Sequence, residues 1–150
     1  MEKDLVYNLK SKLNLPDIAI AFLAILYECI QTFDDFADGD KVTRESLNAL
    51  IWNSLAALPD NDFFYQNKTT LIPIISSMIL KWQASDFVER NGSSDEKSFV
   101  WRAGYYDVVL TVVQICHGAK FATENAHVAL GLYGEKYEDY KKEFDKCQIQ

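Results

Sequence analysis

Residues 17–40 read DIAIAFLAILYECIQTFDDFADGD, and this stretch decides the fold class. Its apolar residues leave little room for a polar face on a helical projection. A helix that is apolar nearly all round is typical of the centre of a helical bundle. We therefore predict a central helix from Asp17 to about Phe36, and Gly39 is a suitable residue to terminate it.

The helical pattern continues on both sides of this stretch. Leu5, Leu9 and Leu13 share one helical face, and Thr43 fits the N-cap of a helix that reaches Leu58. Further helices are predicted from Thr69 or Thr70 to about Arg90, from about Ser94 to His117, over 119–132 and over 135–146, with a connector over 60–67. No segment alternates with the period of a strand. The sequence predicts an all-α fold, a single-domain helical bundle of six or seven helices over residues 1–150.

Composition and charge narrow the function classes. The chain has 150 residues, 49% of them hydrophobic, and a net charge of −7. Because no stripe dense in Lys and Arg is present to meet phosphates, we expect no nucleic acid as a partner. The longest apolar run, Ile18–Tyr27, is too short to span a bilayer, so we expect no membrane partner. Three cysteines without a CxxC pair and a start without a secretory signal lead us to expect a cytoplasmic protein.

Aromatic residues are expected mainly in the core, which is their commoner place on amphipathic helices. This expectation covers Trp52, Trp82 and Trp101. In the predicted connector, Phe63, Phe64 and Tyr65 are expected to fold back onto the core.

The densest chemical feature is the acidic cluster DDFADGD at residues 34–40. In a helix, Asp34 and Asp35 are both neighbours of Asp38, and Glu28 lies two turns before Asp35 on nearly the same face. Like charges this close repel, and a hard divalent cation is one way to offset them. We predict a Mg²⁺ site here, with Ca²⁺ as the alternative cation, because the stretch also matches part of an EF-hand loop. A solvated acidic turn is the alternative that needs no metal.

Two families share parts of this pattern. DDFAD has the spacing of the DDxxD motif and resembles the trans-isoprenyl diphosphate synthases, all-α enzymes whose aspartates bind Mg²⁺ that holds a diphosphate. The resemblance implies that role for Asp34, Asp35 and Asp38. The chain also has the acidic pairs Asp35/Asp38 and Asp86/Glu89, with Asp107 on a further predicted helix. This layout is similar to that of MazG-like pyrophosphohydrolases, small helical proteins that hold Mg²⁺ against a nucleoside triphosphate with acidic pairs on two helices.

Residues further along the chain offer more candidates for such a site. Asp86 and Glu89 form an acidic pair three residues apart, and Asp107 is the one acid between Phe99 and His117. If Asp107 is buried, its carboxylate needs a cation, a hydrogen-bond donor or a metal. Arg102 and Lys81 are the candidates for contacting phosphate.

These observations support three hypotheses, and they leave open whether the chain is an enzyme. The first is a Mg²⁺ site that binds or processes a diphosphate or nucleotide. Asp34, Asp35 and Asp38 would supply the metal ligands, and Glu28, Asp86, Glu89 or Asp107 would complete the shell. Arg102 or Lys81 would face the phosphate-bearing small molecule. The second is a non-catalytic interaction or accessory protein whose acidic surface binds a protein partner. The third is a homo-oligomer whose site forms between subunits.

Overall fold

The structure is a computed structural model that describes residues 2–145 and the side chains of residues 4–144. Within this range every regular element is a helix. The helices are α1 (Glu2–Leu13), α2 (Asp17–Asp38), α3 (Arg44–Trp52), α4 (Asp62–Arg90), α5 (Glu96–Arg102), α6 (Tyr105–Leu132) and α7 (Tyr137–Asp145). After α3 the chain continues through a π-helical turn at Asn53–Ala57 into a last turn at Leu58–Asp60. The predicted all-α fold of six or seven helices is confirmed.

Internal contacts divide the chain into two compact units, Met1–Lys68 and Thr69–Gln150. The first contains α1 to α3, the second contains α5 to α7, and α4 begins in the first and continues into the second. The single domain expected over residues 1–150 stays a prediction. Residue 1 and residues 146–150, which include Cys147 and the predicted end of the last helix, lie outside the described residues.

In the first unit, α1 packs on α2 with the face that the sequence indicates. Leu5, Leu9 and Leu13 are all buried. The chain then reverses at Asn14, which has a φ of 48°, and Leu15 is buried beneath the turn. Asn tolerates this left-handed backbone better than most residues, because its short polar side chain can bond locally. Pro16 precedes the first residue of α2 and closes the reversal.

The carboxyl end of α2 is set by Gly39, as predicted. Gly39 has a φ of 80°, and its N–H and that of Asp40 return to the carbonyls of Phe36 and Asp35. This pair of bonds is the Schellman arrangement, which satisfies carbonyls that the helix leaves open. Thr43 then caps α3 as predicted, because its Oγ1 accepts a hydrogen bond from the N–H of Ser46 at 3.0 Å.

The predicted connector over 60–67 is wrong, because α4 begins at Asp62 rather than at Thr69 or Thr70. The Asn61 side chain accepts a hydrogen bond from the N–H of Phe64 at 2.9 Å and so caps the first turn of α4. Phe63 and Phe64 fold back as predicted and pack on Phe22 of α2, with ring centroids 5.9 and 5.7 Å away. The same prediction is wrong for Tyr65, which is 61% exposed.

In the second unit, the single helix predicted over 94–117 is two helices, α5 and α6. The chain turns at residues 103 and 104, where a Cβ on Gly104 would lie 3.0 Å from Cγ of Met78. Glycine therefore lets the turn approach α4 closely, and this packing interrupts a segment whose local pattern favours one helix.

Two glycines shape the rest of the second unit. Gly118 lies within α6 but has non-helical angles, φ 83° and ψ 171°, so the helix is kinked there. The segment before the kink supplies much of the core through Tyr105, Val108, Val109, Val112 and Val113. Among residues 2–145, no helix combines the length and the hydropathy that crossing a bilayer requires.

Candidate functional site

The predicted aspartate cluster forms the carboxyl end of α2. Asp34 is half-buried, whereas Asp35, Asp38 and Asp40 are exposed. Asp34, Asp35 and Asp38 all belong to the last turns of α2, at the i, i+3 and i+4 spacing of helix neighbours. The cluster faces solvent for the most part, as a solvated acidic turn would.

Acidic side chains outnumber basic ones at this end of α2. The carboxyl terminus of a helix carries about half a negative charge, and the last turn of α2 has no basic residue to offset it. Residues 17–40 contain six acidic side chains and no Lys or Arg. Burial, together with the charge of Asp34, raises the pKa of the Tyr27 phenol, which lies two helical turns before Asp34.

Glu28 takes part in a different contact, further back on α2. Its carboxylate accepts a hydrogen bond of 2.6 Å from Nδ2 of Asn53, the first residue of the π-helical turn. A π turn inserts an extra residue into a helix, which rotates the side chains that follow. Because a connection of only five residues joins α2 to α3, and residue 53 meets residue 28, the two helices run antiparallel as a hairpin.

The other predicted site residues belong to the second unit, and each lies in an ion pair. Asp86 pairs with Arg90 at 3.0 Å along α4, and Asp107 pairs with Lys81 at 2.5 Å. Asp107 is not buried, because its side chain is 48% exposed. These contacts tie the acids to basic groups on the same or a neighbouring helix.

Glu89 and Arg102 form the buried pair of the set, with Nη1 and Oε1 3.6 Å apart and side chains only 7% and 11% exposed. The Tyr140 hydroxyl donates to Glu89 Oε1 at 2.8 Å and lies 2.5 Å from Ser98 Oγ. Because a carboxylate can only accept, Tyr140 donates its proton to Glu89, and the Ser98 hydroxyl also donates to the carbonyl of Asp95 at 2.8 Å. Arg102 of α5 thus has an acidic partner on α4.

This polar network joins α7 to α4 and α5. Tyr140 is fully buried, and its ring packs on Phe99, Phe144 and the Arg102 guanidinium. Burial, with the contact to Glu89, raises the pKa of the Tyr140 phenol. Burial and a 2.6 Å hydrogen bond to Glu135 do the same for the pKa of Tyr133. Sequence reasoning named Glu89 and Arg102 but missed Tyr140, the residue that joins them to α7.

A metal has no ready set of ligands in this arrangement. Among residues 2–145, no three His, Cys, Asp or Glu side chains are grouped so that they could hold an ion. The predicted ligands fall into two sets, Asp34, Asp35, Asp38 and Glu28 in the first unit and Asp86, Glu89 and Asp107 in the second. The Mg²⁺ and Ca²⁺ assignments stay predictions.

The second unit also has an open groove of about 250 Å³ between α4 and α5. Its wall includes Ser85 and Ser98, whose hydroxyls already bond within the protein, and Trp101. Ligand pockets are commonly about 300–1,000 Å³ and present a few polar groups for orientation. The groove is smaller and its buried hydroxyls are engaged, so it is a weak candidate for a small-molecule site.

The feature that sequence reasoning missed is the exposure of large apolar side chains. Trp52 and Trp101, expected in the core, are 71% and 48% exposed. In the first unit, six of the large apolar side chains that are exposed lie on the α2–α3 hairpin, and we call them the hairpin surface: Phe33, Phe36, Leu47, Ile51, Trp52 and Leu55. Large apolar patches on a protein surface mark interaction sites more often than scattered single residues do.

Comparisons with known proteins add no assignment. No family model matches the sequence, and neither curated proteins nor solved structures give a significant match. The resemblances of DDFAD to DDxxD enzymes and of the acidic pairs to MazG-like proteins stay predictions.

Proposed function

We propose that this chain is a non-catalytic helical interaction protein that binds a protein partner on the hairpin surface. The observation that carries the proposal is that α3 has an amphipathic sequence but no buried residue. Its apolar residues recur at helical spacing, which is the pattern of a helix that packs one face against a protein core or a binding partner.

Much of the apolar surface of α3 is exposed, because the rest of the first unit covers only part of it. Leu47 and Ile51 are each 47% exposed, and Leu55 in the π turn is 76% exposed. Fully burying a Leu or Ile side chain stabilises by about 1.5–3 kcal/mol relative to leaving it in water. A partner that covers these three residues would gain part of that energy at each of them.

The apolar stripe of α2 supports the same conclusion. Phe22, Leu26 and Cys29 follow a heptad-like spacing and are 0%, 6% and 6% exposed. The spacing continues to Phe33 and Phe36, but these are 53% and 77% exposed. The core-facing stripe of α2 thus extends beyond the helices that cover it, and a docked partner would complete its burial.

Paired surface variants test the proposal. In the hairpin variant, Leu47, Ile51 and Leu55 become Ser. In the control variant, Ile72, Ile79 and Leu80, which are 49%, 45% and 67% exposed on α4, become Ser. Peptides are first selected from a displayed library for binding to the wild-type protein. The selected peptides should not bind the hairpin variant, and they should bind the control variant as they bind the wild-type protein. Selected peptides that bind both variants equally, or a library that yields no binder, would refute a partner site on this surface.

The Mg²⁺ site is the second candidate, because one specific observation favours it. Asp34, Asp35 and Asp38 crowd the negative end of a helix that has no basic residue in its last turn. Mg²⁺ is commonly held by one or two carboxylates, with waters and substrate phosphates filling its other positions, so a full protein cage is not required. The ligand would then be a diphosphate or nucleotide.

A thermal titration separates this candidate from simple charge screening. With millimolar MgCl₂ and inorganic diphosphate, the melting temperature of the wild-type protein should rise above that in NaCl of equal ionic strength. The gain should vanish when Asp34, Asp35 and Asp38 become Asn. An equal rise in both proteins would leave only a solvated acidic turn.

A further inference from the structure

Resting on the proposed interaction function, we infer that the partner of the hairpin surface is a basic amphipathic helix. The surface belongs to two antiparallel helices, and no strand lies within the described residues to offer an edge for β-addition. A helix laid against a helical pair buries its apolar face by packing side-chain ridges into grooves.

The dimensions of the surface suit a short helix. Leu47 to Leu55 extends over about 12 Å of helix at 1.5 Å per residue. A partner of about three turns, with apolar residues at i, i+3 or i+4, and i+7, would match these residues along its length. Trp52 adds a large apolar ring, and Trp is among the residues that most often dominate binding energy at interfaces.

The acidic residues near the hairpin surface favour a basic amphipathic helix over an acidic one as the partner. Asp35, Asp38 and Asp40 are exposed close in sequence to the exposed rings of Phe33 and Phe36. Over residues 33–45 there are five acidic side chains against Lys41 and Arg44, so the end of the hairpin keeps a negative balance. Partner Lys or Arg residues beside the apolar stripe would be attracted, whereas Glu or Asp there would be repelled.

Three labelled peptides of one length test this inference by fluorescence anisotropy. The first has a Leu stripe flanked by Lys, the second has the same stripe flanked by Glu, and the third has the composition of the first in scrambled order. We expect the first to bind most tightly, at least about tenfold above the other two. Its affinity should fall with added salt, because exposed charges are screened.

Two protein variants separate the apolar from the ionic contribution. Phe33→Ser/Phe36→Ser should weaken binding of the basic peptide by about tenfold or more. Asp35→Asn/Asp38→Asn/Asp40→Asn should weaken it less and flatten its dependence on salt. The α4 control variant should bind as the wild-type protein does, and circular dichroism melts confirm that each variant is folded.

The failures are distinguishable. If the acidic peptide binds as well as the basic one, and the Phe variant weakens both, the hairpin surface is a partner site but the inferred basic partner is wrong. If the scrambled peptide equals the ordered one, binding is ionic and the helical partner is overturned. If no peptide binds and the displayed library yields no binder, the proposed function fails with the inference.

Discussion

Replacing Tyr140 by Phe tests whether the buried network holds α7 in place. The substitution keeps the aromatic ring but removes the donor to Glu89 and the hydroxyl contact with Ser98. A hydrogen bond to a charged group contributes about 1.5–3 kcal/mol, and an unsatisfied buried carboxylate oxygen adds to the loss. We expect the free energy of unfolding to fall by about 2–3 kcal/mol. For a chain of this length the melting temperature should fall by about 4–12 °C.

Urea denaturation followed by circular dichroism at pH 7 measures this change. The matched control is Tyr65→Phe, because the Tyr65 side chain is 61% exposed and its hydroxyl should contribute less than about 0.5 kcal/mol. A double-mutant cycle with Glu89→Gln isolates the pair, and a coupling energy of about 1 kcal/mol or more is expected. A Tyr140→Phe variant as stable as the control, or strictly additive effects, would refute the network as described.

Three further predictions concern Gly39, Asn53 and the phenols of two tyrosines. Gly39→Ala should destabilise by about 1–2 kcal/mol in urea, because its φ of 80° is left-handed, and an unchanged midpoint would contradict the strain. Asn53→Ala should cost about 1 kcal/mol or more by removing the donor to Glu28, whereas Asn48→Ala on the exposed side of α3 should cost less than about 0.5 kcal/mol. The pKa values of Tyr133 and Tyr140 are raised above the ordinary 10.0, so the folded state keeps protons that the unfolded chain releases. Stability should therefore be retained below pH 10 and decline as the pH rises above it, and urea midpoints at pH 9, 10 and 11 that do not move would contradict this.

Local signals were enough to predict much of the fold. The apolar run of α2, the cap at Thr43 and the terminator Gly39 each act within a few residues, and the structure has all three. The prediction of one helix over residues 94–117 was wrong because a contact between residues far apart in the sequence determines the structure there. α5 and α6 separate because the turn at Gly104 packs on Met78, and no periodicity in residues 94–117 records that approach.

The candidate site was harder to predict for the same reason. The sequence alone places Asp34, Asp35 and Asp38 in the last turns of α2, because they follow one another at helical spacing. The partner of Asp107 is 26 residues away at Lys81, and Tyr140 reaches Glu89 across 51 residues. Amphipathic spacing also cannot tell whether an apolar face meets the core or a partner, so Trp52 was expected inside although it is largely exposed.

The backbone angles at Gly118 require a residue without an L side chain, and the path of the chain depends on them. Its angles lie in a region that is essentially closed to L residues, although nothing lies within 4 Å of the place a methyl group would occupy. The restriction is therefore one of handedness rather than of space, and D-alanine at this position would meet the required backbone without a clash. An L residue would instead favour unbroken helix, and the direction taken by residues 119–132 would change. A single achiral residue thus sets the course of the second half of α6.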